Sequence, residues 1–115
     1  MTRPQGFDVR VAPEVEHVLQ RADRSGTPLR ARFLVETERL AAHGLRSRST
    51  RKLGGLDLWE ARIGDYRAFF RLVPGTRTIA IGALVAKRTK RLRMDKLRAI
   101  ERQVRTWEND LADRG

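Results

Sequence analysis

The chain reads as an α+β protein: an N-terminal strand, a helical hairpin, an antiparallel three-strand meander and a C-terminal helix packed on the sheet. Three observations predict it. Period-2 alternation marks the start of the chain, apolar residues recur at helical spacing in two blocks separated by Ser25-Gly26, and three extended runs follow one another with only Gly64-Asp65 and Pro74-Gly75 between them. Connections that short favour antiparallel neighbours.

The elements follow in order. In 6-GFDVRVA-12, Phe7, Val9 and Val11 alternate with Asp8 and Arg10, a strand with one wet face. Pro13 fixes a first-turn φ, and Val15, Val18, Leu19 and Ala22 line the first helix up to Ser25-Gly26. Thr27-Pro28 repeats a cap-plus-proline start, and Leu29, Phe33, Leu34, Thr37, Leu40 and Ala41 line the second helix up to Gly44. The segment 45-LRSRSTRKLGG-55 reads as a basic loop. Strands are expected at about 56–63, 66–73 and 77–86. The last helix opens at Asp95 as its N-cap and places Leu97, Ile100, Val104, Trp107 and Leu111 on one face.

Length and composition set the bounds. One domain over residues 1–115 is expected, because the chain is too short for two ordinary cores. A net charge of +11 attracts nucleic acid, anionic membrane or an acidic partner, and does not by itself choose among them. No cysteine occurs, which excludes disulfides and thiolate metal sites. His17 and His43 have no ligand spacing, so neither a metal site nor a histidine-pair ribonuclease is expected. The start lacks an apolar signal segment, and 78-TIAIGALVA-86 is far below the roughly 20 residues a spanning helix needs. A cytoplasmic protein with no membrane partner is the expectation.

The chemistry concentrates in 58-LWEARIGDYRAFFRLV-73 and 87-KRTKRLR-93. Alternation puts Trp59, Ala61 and Ile63 on one face of the first arm and Leu58, Glu60 and Arg62 on the other. In the second arm Arg67, Phe69 and Arg71 oppose Tyr66, Ala68, Phe70 and Leu72. In a tight hairpin whose register the sequence leaves open, Arg62 and Arg67 can face one side with Glu60 as neutralising neighbour, either to contact phosphate or as fold-stabilising partners of Glu60 and Asp65. Lys87, Arg88 and Lys90 follow the third strand and converge on Arg67 if they border the same face. Such a cluster repels itself unless an anion occupies it, and guanidinium forks match phosphate oxygens. In the basic loop, Arg51 and Lys52 are further candidates for RNA contact. Trp59 and Trp107 fit core stripes better than base-stacking platforms.

The element order, together with Gly54, Gly55, Trp59, Glu60, Arg62, Tyr66, Arg67, Lys87, Arg88, Thr89 and Lys90, resembles the RelE/ParE toxin superfamily, and within it the phage-related HigB-like branch. The resemblance implies a RelE-like domain and a toxin of a type II toxin–antitoxin pair, a ribosome-dependent, metal-independent endoribonuclease that cuts mRNA and needs no cofactor. By the same resemblance, Arg67 and Arg88 are the catalytic candidates, with Lys52, Arg62, Lys87 and Lys90 as RNA-binding residues. Arg67 is expected to hold the scissile phosphate or stabilise its developing charge. Arg88 is expected to stabilise charge electrostatically, since an arginine of pKa about 12.5 or more is a poor acid near neutrality. The partners implied are mRNA, the ribosome and a helix-turn-helix HigA-like antitoxin in a hetero-oligomer. Leu58, Glu60 and about Met94 stand where some relatives carry lysines and a tyrosine for proton transfer, which keeps two alternatives open: a ParE-like gyrase inhibitor, or a non-catalytic nucleic-acid-binding module.

Overall fold

The computed structural model describes residues 6–86 and 92–114. Strand β1 (Asp8–Val11) leads to helices α1 (Pro13–Arg24) and α2 (Leu29–His43), which a short 3-10 turn at Gly44–Arg46 follows. Strands β2 (Thr50–Lys52), β3 (Trp59–Ile63), β4 (Tyr66–Leu72) and β5 (Thr78–Ala86) come next, and α3 (Met94–Arg114) closes the chain. The five strands form one mixed sheet in the order β1-β5-β4-β3-β2. β1 runs parallel to β5, and every other pairing is antiparallel. The α+β architecture is as the sequence predicts.

Several details differ from the sequence reading: the strand expected at about 56–63 begins at Trp59, and Pro28 rather than Thr27 is the N-cap of α2, without a side-chain cap bond. The basic loop contains β2, whose three residues pair with Trp59, Glu60 and Ala61. The last helix begins at Met94, with Asp95 inside its first turn, where a carboxylate complements the helix dipole. On α2 the buried stripe is Leu29, Phe33, Glu36 and Leu40, and Leu34 is 54% exposed. The stripe keeps a four-three-four spacing, so Glu36 turns inward and Leu34 falls off the line.

The sheet is covered on both faces. Ala61, Ile63, Ala68, Phe70, Ile79, Ile81 and Leu84 pack with Val15, Leu19, Phe33 and Leu40 of the helical hairpin. Arg30 ties the hairpin together through Glu16 (2.9 Å) and Asp23 (2.9 Å), and hydrogen bonding to Glu16, then to Asp23, raises its pKa. On the other face, Phe69 and Ala83 pack with Leu56, Leu58, Ile100 and Val104. A bulge in β5 opposite Phe69 and Phe70 lets Ile81 and Leu84 serve the same core although they are an odd three positions apart. Gly82 sits in that bulge. A Cβ there would stand 2.6 Å from the Val104 Cα, and the Gly82 carbonyl accepts a 2.8 Å hydrogen bond from Gln103 Nε2. Glycine thus lets α3 press its backbone onto β5.

Candidate nucleic-acid interface

The β3–β4 hairpin positions the central pair. Ile63↔Tyr66 and Arg62↔Arg67 are directly opposite in the ladder, so the two arginines share the face that α3 partly covers. Their environments differ sharply. Arg62 is exposed at the hairpin end, whereas Arg67 is 7% exposed, flanked on the other side by Val85 of β5. Burying a guanidinium is costly unless it is paired. Glu60, itself 7% exposed, meets that cost in part: its Oε2 lies 3.8 Å from Arg67 Nη1.

Glu60 is also bound by Arg51, which donates from Nη2 to Oε1 across β2–β3. Arg51 is in register with Glu60, and its side chain is 67% exposed. One buried carboxylate thus orients two guanidiniums, a nearly inaccessible one on β4 and an open one on β2. Sequence reasoning named Glu60 as the neutralising neighbour of Arg62 and Arg67; the ion pairs seen join it to Arg51 and Arg67.

The other expected RNA contacts separate into two groups. Lys52 is in register with Trp59 and so faces the opposite side of the sheet from Arg67. Its Nζ donates to the Leu56 carbonyl at 3.1 Å, bracing the turn before β3. Lys87, Arg88 and Lys90 lie outside the described residues. The described part of the face therefore unites Arg51, Glu60, Arg62 and Arg67 and leaves Lys52 apart.

Chemically, the arrangement suits holding an anion. Its guanidiniums supply fixed donors and positive charge, and a partly dry environment strengthens both. Tyr66, the single tyrosine in the chain, points to the hairpin core, and neither His17 nor His43 lies on this face. Glu60 is the carboxylate placed beside Arg67, and its two ion pairs suit it to positioning. Trp107 is 7% exposed and donates from Nε1 to the Arg10 carbonyl, a core role. Among the described residues no group of three His, Cys, Asp or Glu side chains is placed to hold a metal, and no helix is long and apolar enough to cross a membrane.

No protein-family model, curated protein or solved structure matches the chain.

Proposed function

We propose that the protein is a toxin acting on translated mRNA, a RelE/HigB-type endoribonuclease working in the cytoplasm at the ribosome and held in check by a helix-turn-helix antitoxin. The observation that carries the reading is the Arg51–Glu60–Arg67 chain with Arg62 directly across from Arg67. It preorganises guanidiniums on one face of a protein with a net charge of +11, where a phosphate could be gripped and its developing charge stabilised. Arg67, nearly inaccessible itself, takes the role of stabilising charge at the scissile phosphate through its field rather than by direct contact, and Glu60 positions it. The sequence resemblance would give Arg88 a charge-stabilising role and Lys87 and Lys90 a part in RNA binding, and proton transfer would fall to the RNA or the ribosome.

Induced expression without a partner should arrest growth and leave cuts in translated mRNA that primer extension maps. Arg67→Ala should abolish the cuts while the folded protein persists. Co-expression of the adjacent gene should restore growth and co-purify a complex.

A second reading has its own support. The described face holds neither histidine nor tyrosine as an acid, which favours a ParE-like inhibitor acting through protein binding. Intact transcripts together with inhibited gyrase supercoiling would transfer the assignment to that class.

A further inference from the structure

The corner where α2 ends and the chain turns into β2 carries a second basic hollow. It has a volume of about 470 Å³ and is lined by Arg39, His43, Arg46, Ser47, Arg48 and Ser49. No carboxylate is among these lining residues, and Arg39, Arg46 and Arg48 are exposed.

The hollow is braced from below. Glu36 is 4% exposed and accepts a 2.5 Å hydrogen bond from Ser49 Oγ, which in turn lies 2.9 Å from Ser47 Oγ. A buried carboxylate is tolerable only when so engaged, and its partners are the loop that carries the arginines. Thr50 Oγ1 adds bonds to the Leu45 carbonyl (3.1 Å) and the Ser47 carbonyl (2.8 Å). Arg39 reaches Glu36 only at 3.8 Å, from a side chain that is 59% exposed. Arg46 and Arg48 are thus presented on a braced loop and Arg39 on the adjoining end of α2, three guanidiniums around a concavity whose nearest carboxylate, Glu36, is buried and already engaged by Ser49, an excess of positive charge that attracts an anion.

The hollow also connects to the face described above. Arg39 lines a neighbouring hollow of about 260 Å³ together with Arg32, Arg62 and the buried Glu36, and Arg62 stands across from Arg67. Arg32 lies over the hairpin turn: a Cβ on Gly64, whose φ is +59°, would meet its Nη1 at 2.6 Å. A run of guanidiniums therefore leads from the sheet face around the end of β3 to the corner.

We propose that this corner is a second phosphate-binding site, which holds the backbone of a single RNA strand away from Arg67. Phosphate as ligand follows from the guanidinium lining; RNA as its source rests on the reading under Proposed function. The test is binding of a labelled single-stranded RNA to the full chain, followed by fluorescence anisotropy across a salt series with no ribosome present. Arg46→Ala/Arg48→Ala should lower the slope of log K against log salt by about 1.4, two phosphate contacts at about 0.7 each. Arg46→Lys/Arg48→Lys should keep the slope, because counterion release follows charge. Circular dichroism should be that of the wild type in both.

An unchanged slope in the alanine pair would overturn the site, as would a lysine pair that falls as far as the alanine pair. Loss of binding to phosphatidylserine vesicles, with RNA binding intact, would overturn it in favour of a membrane surface. A wild-type protein that cuts no mRNA but shows the slope change establishes the corner and sinks the nuclease reading alone.

Discussion

Arg67 and Arg71 lie on the same strand and the same face, four residues apart, and are 7% and 6% exposed, yet the structure treats them differently. Arg71 donates to Asp57 Oδ2 at 2.6 Å and to Glu108 Oε2 at 2.5 Å, so that α3 and the turn before β3 are fastened to one guanidinium. Arg105 approaches Asp57 (3.7 Å) and Glu101 (3.9 Å), giving two guanidiniums and three carboxylates at that end. At the Arg67 end Glu60 is shared by two guanidiniums, and a third stands directly across the hairpin. Where the helix brings carboxylates, a buried arginine is a fastener; where the sheet sets the single carboxylate of Glu60 among Arg51, Arg62 and Arg67, these four groups sum to positive charge, which attracts anions.

The largest effect expected from this contrast is on stability. Arg71→Ala would leave Glu108, whose side chain is 13% exposed, facing Asp57 without the cation between them. Removing one partner of a buried pair typically costs 3–5 kcal/mol, and Asp57 at 55% exposure puts this case near about 3 kcal/mol. Arg67→Ala leaves Glu60 still bound to Arg51, so the smaller loss of the two is expected. Urea denaturation compares the two. Equal losses would break the contrast and make Arg67 a second fastener. Growth arrest should rank the other way, with Arg67→Ala more damaging to toxicity once folding is matched.

The next effect probes the helix that creates the difference. Gly82→Ala places a methyl 2.6 Å from the Val104 Cα, against backbone that cannot rotate away. Overpacking of this kind costs about 1–3 kcal/mol, and thermal unfolding should show it. Because α3 would lift at β5, Glu108 should loosen its hold on Arg71 while the Arg51–Glu60 pair on β2 and β3 persists. A wild-type melting temperature would mean that the close approach at Gly82 does not hold the helix.

Much of this was legible in the sequence, and the reasons for the rest are specific. Tyr66 to Leu72 alternates cleanly between an apolar core and a face with two arginines, so period 2 placed Arg67 with Arg71; the pairing of Arg67 with Arg62 needed the hairpin register, which alternation does not fix. What separates Arg67 from Arg71 is the position of α3, a long-range property: Glu108 lies 37 residues from Arg71. β2 was hidden because Thr50-Arg51-Lys52 carries no apolar alternation, and only pairing with β3 extends it. The bulge at Gly82 was hidden because 78–86 is apolar on both faces, leaving no phase to read. Glu36 did leave a trace, since it stands three residues after Phe33 and four before Leu40, at the spacing of the buried stripe.

The smallest effect concerns two neighbouring cations. Arg51 and Lys52 are adjacent on the edge strand β2, both exposed, and a charge count treats them as equivalent. Strand geometry does not, because successive side chains point to opposite faces. Arg51 is in register with Glu60 and shares its carboxylate with Arg67, whereas Lys52 is in register with Trp59 and gives its Nζ to the Leu56 carbonyl. If RNA follows the Arg67 face, Arg51→Ala should lower the salt slope by about 0.7, one single-strand phosphate contact, and Lys52→Ala should leave it unchanged. Lys52→Ala should also move stability by no more than about 0.5 kcal/mol, as an exposed substitution. Equal slope losses would mean that the strand wraps the β2 edge and touches both faces, and the contrast between the two ends of β4 would then describe only part of the binding surface.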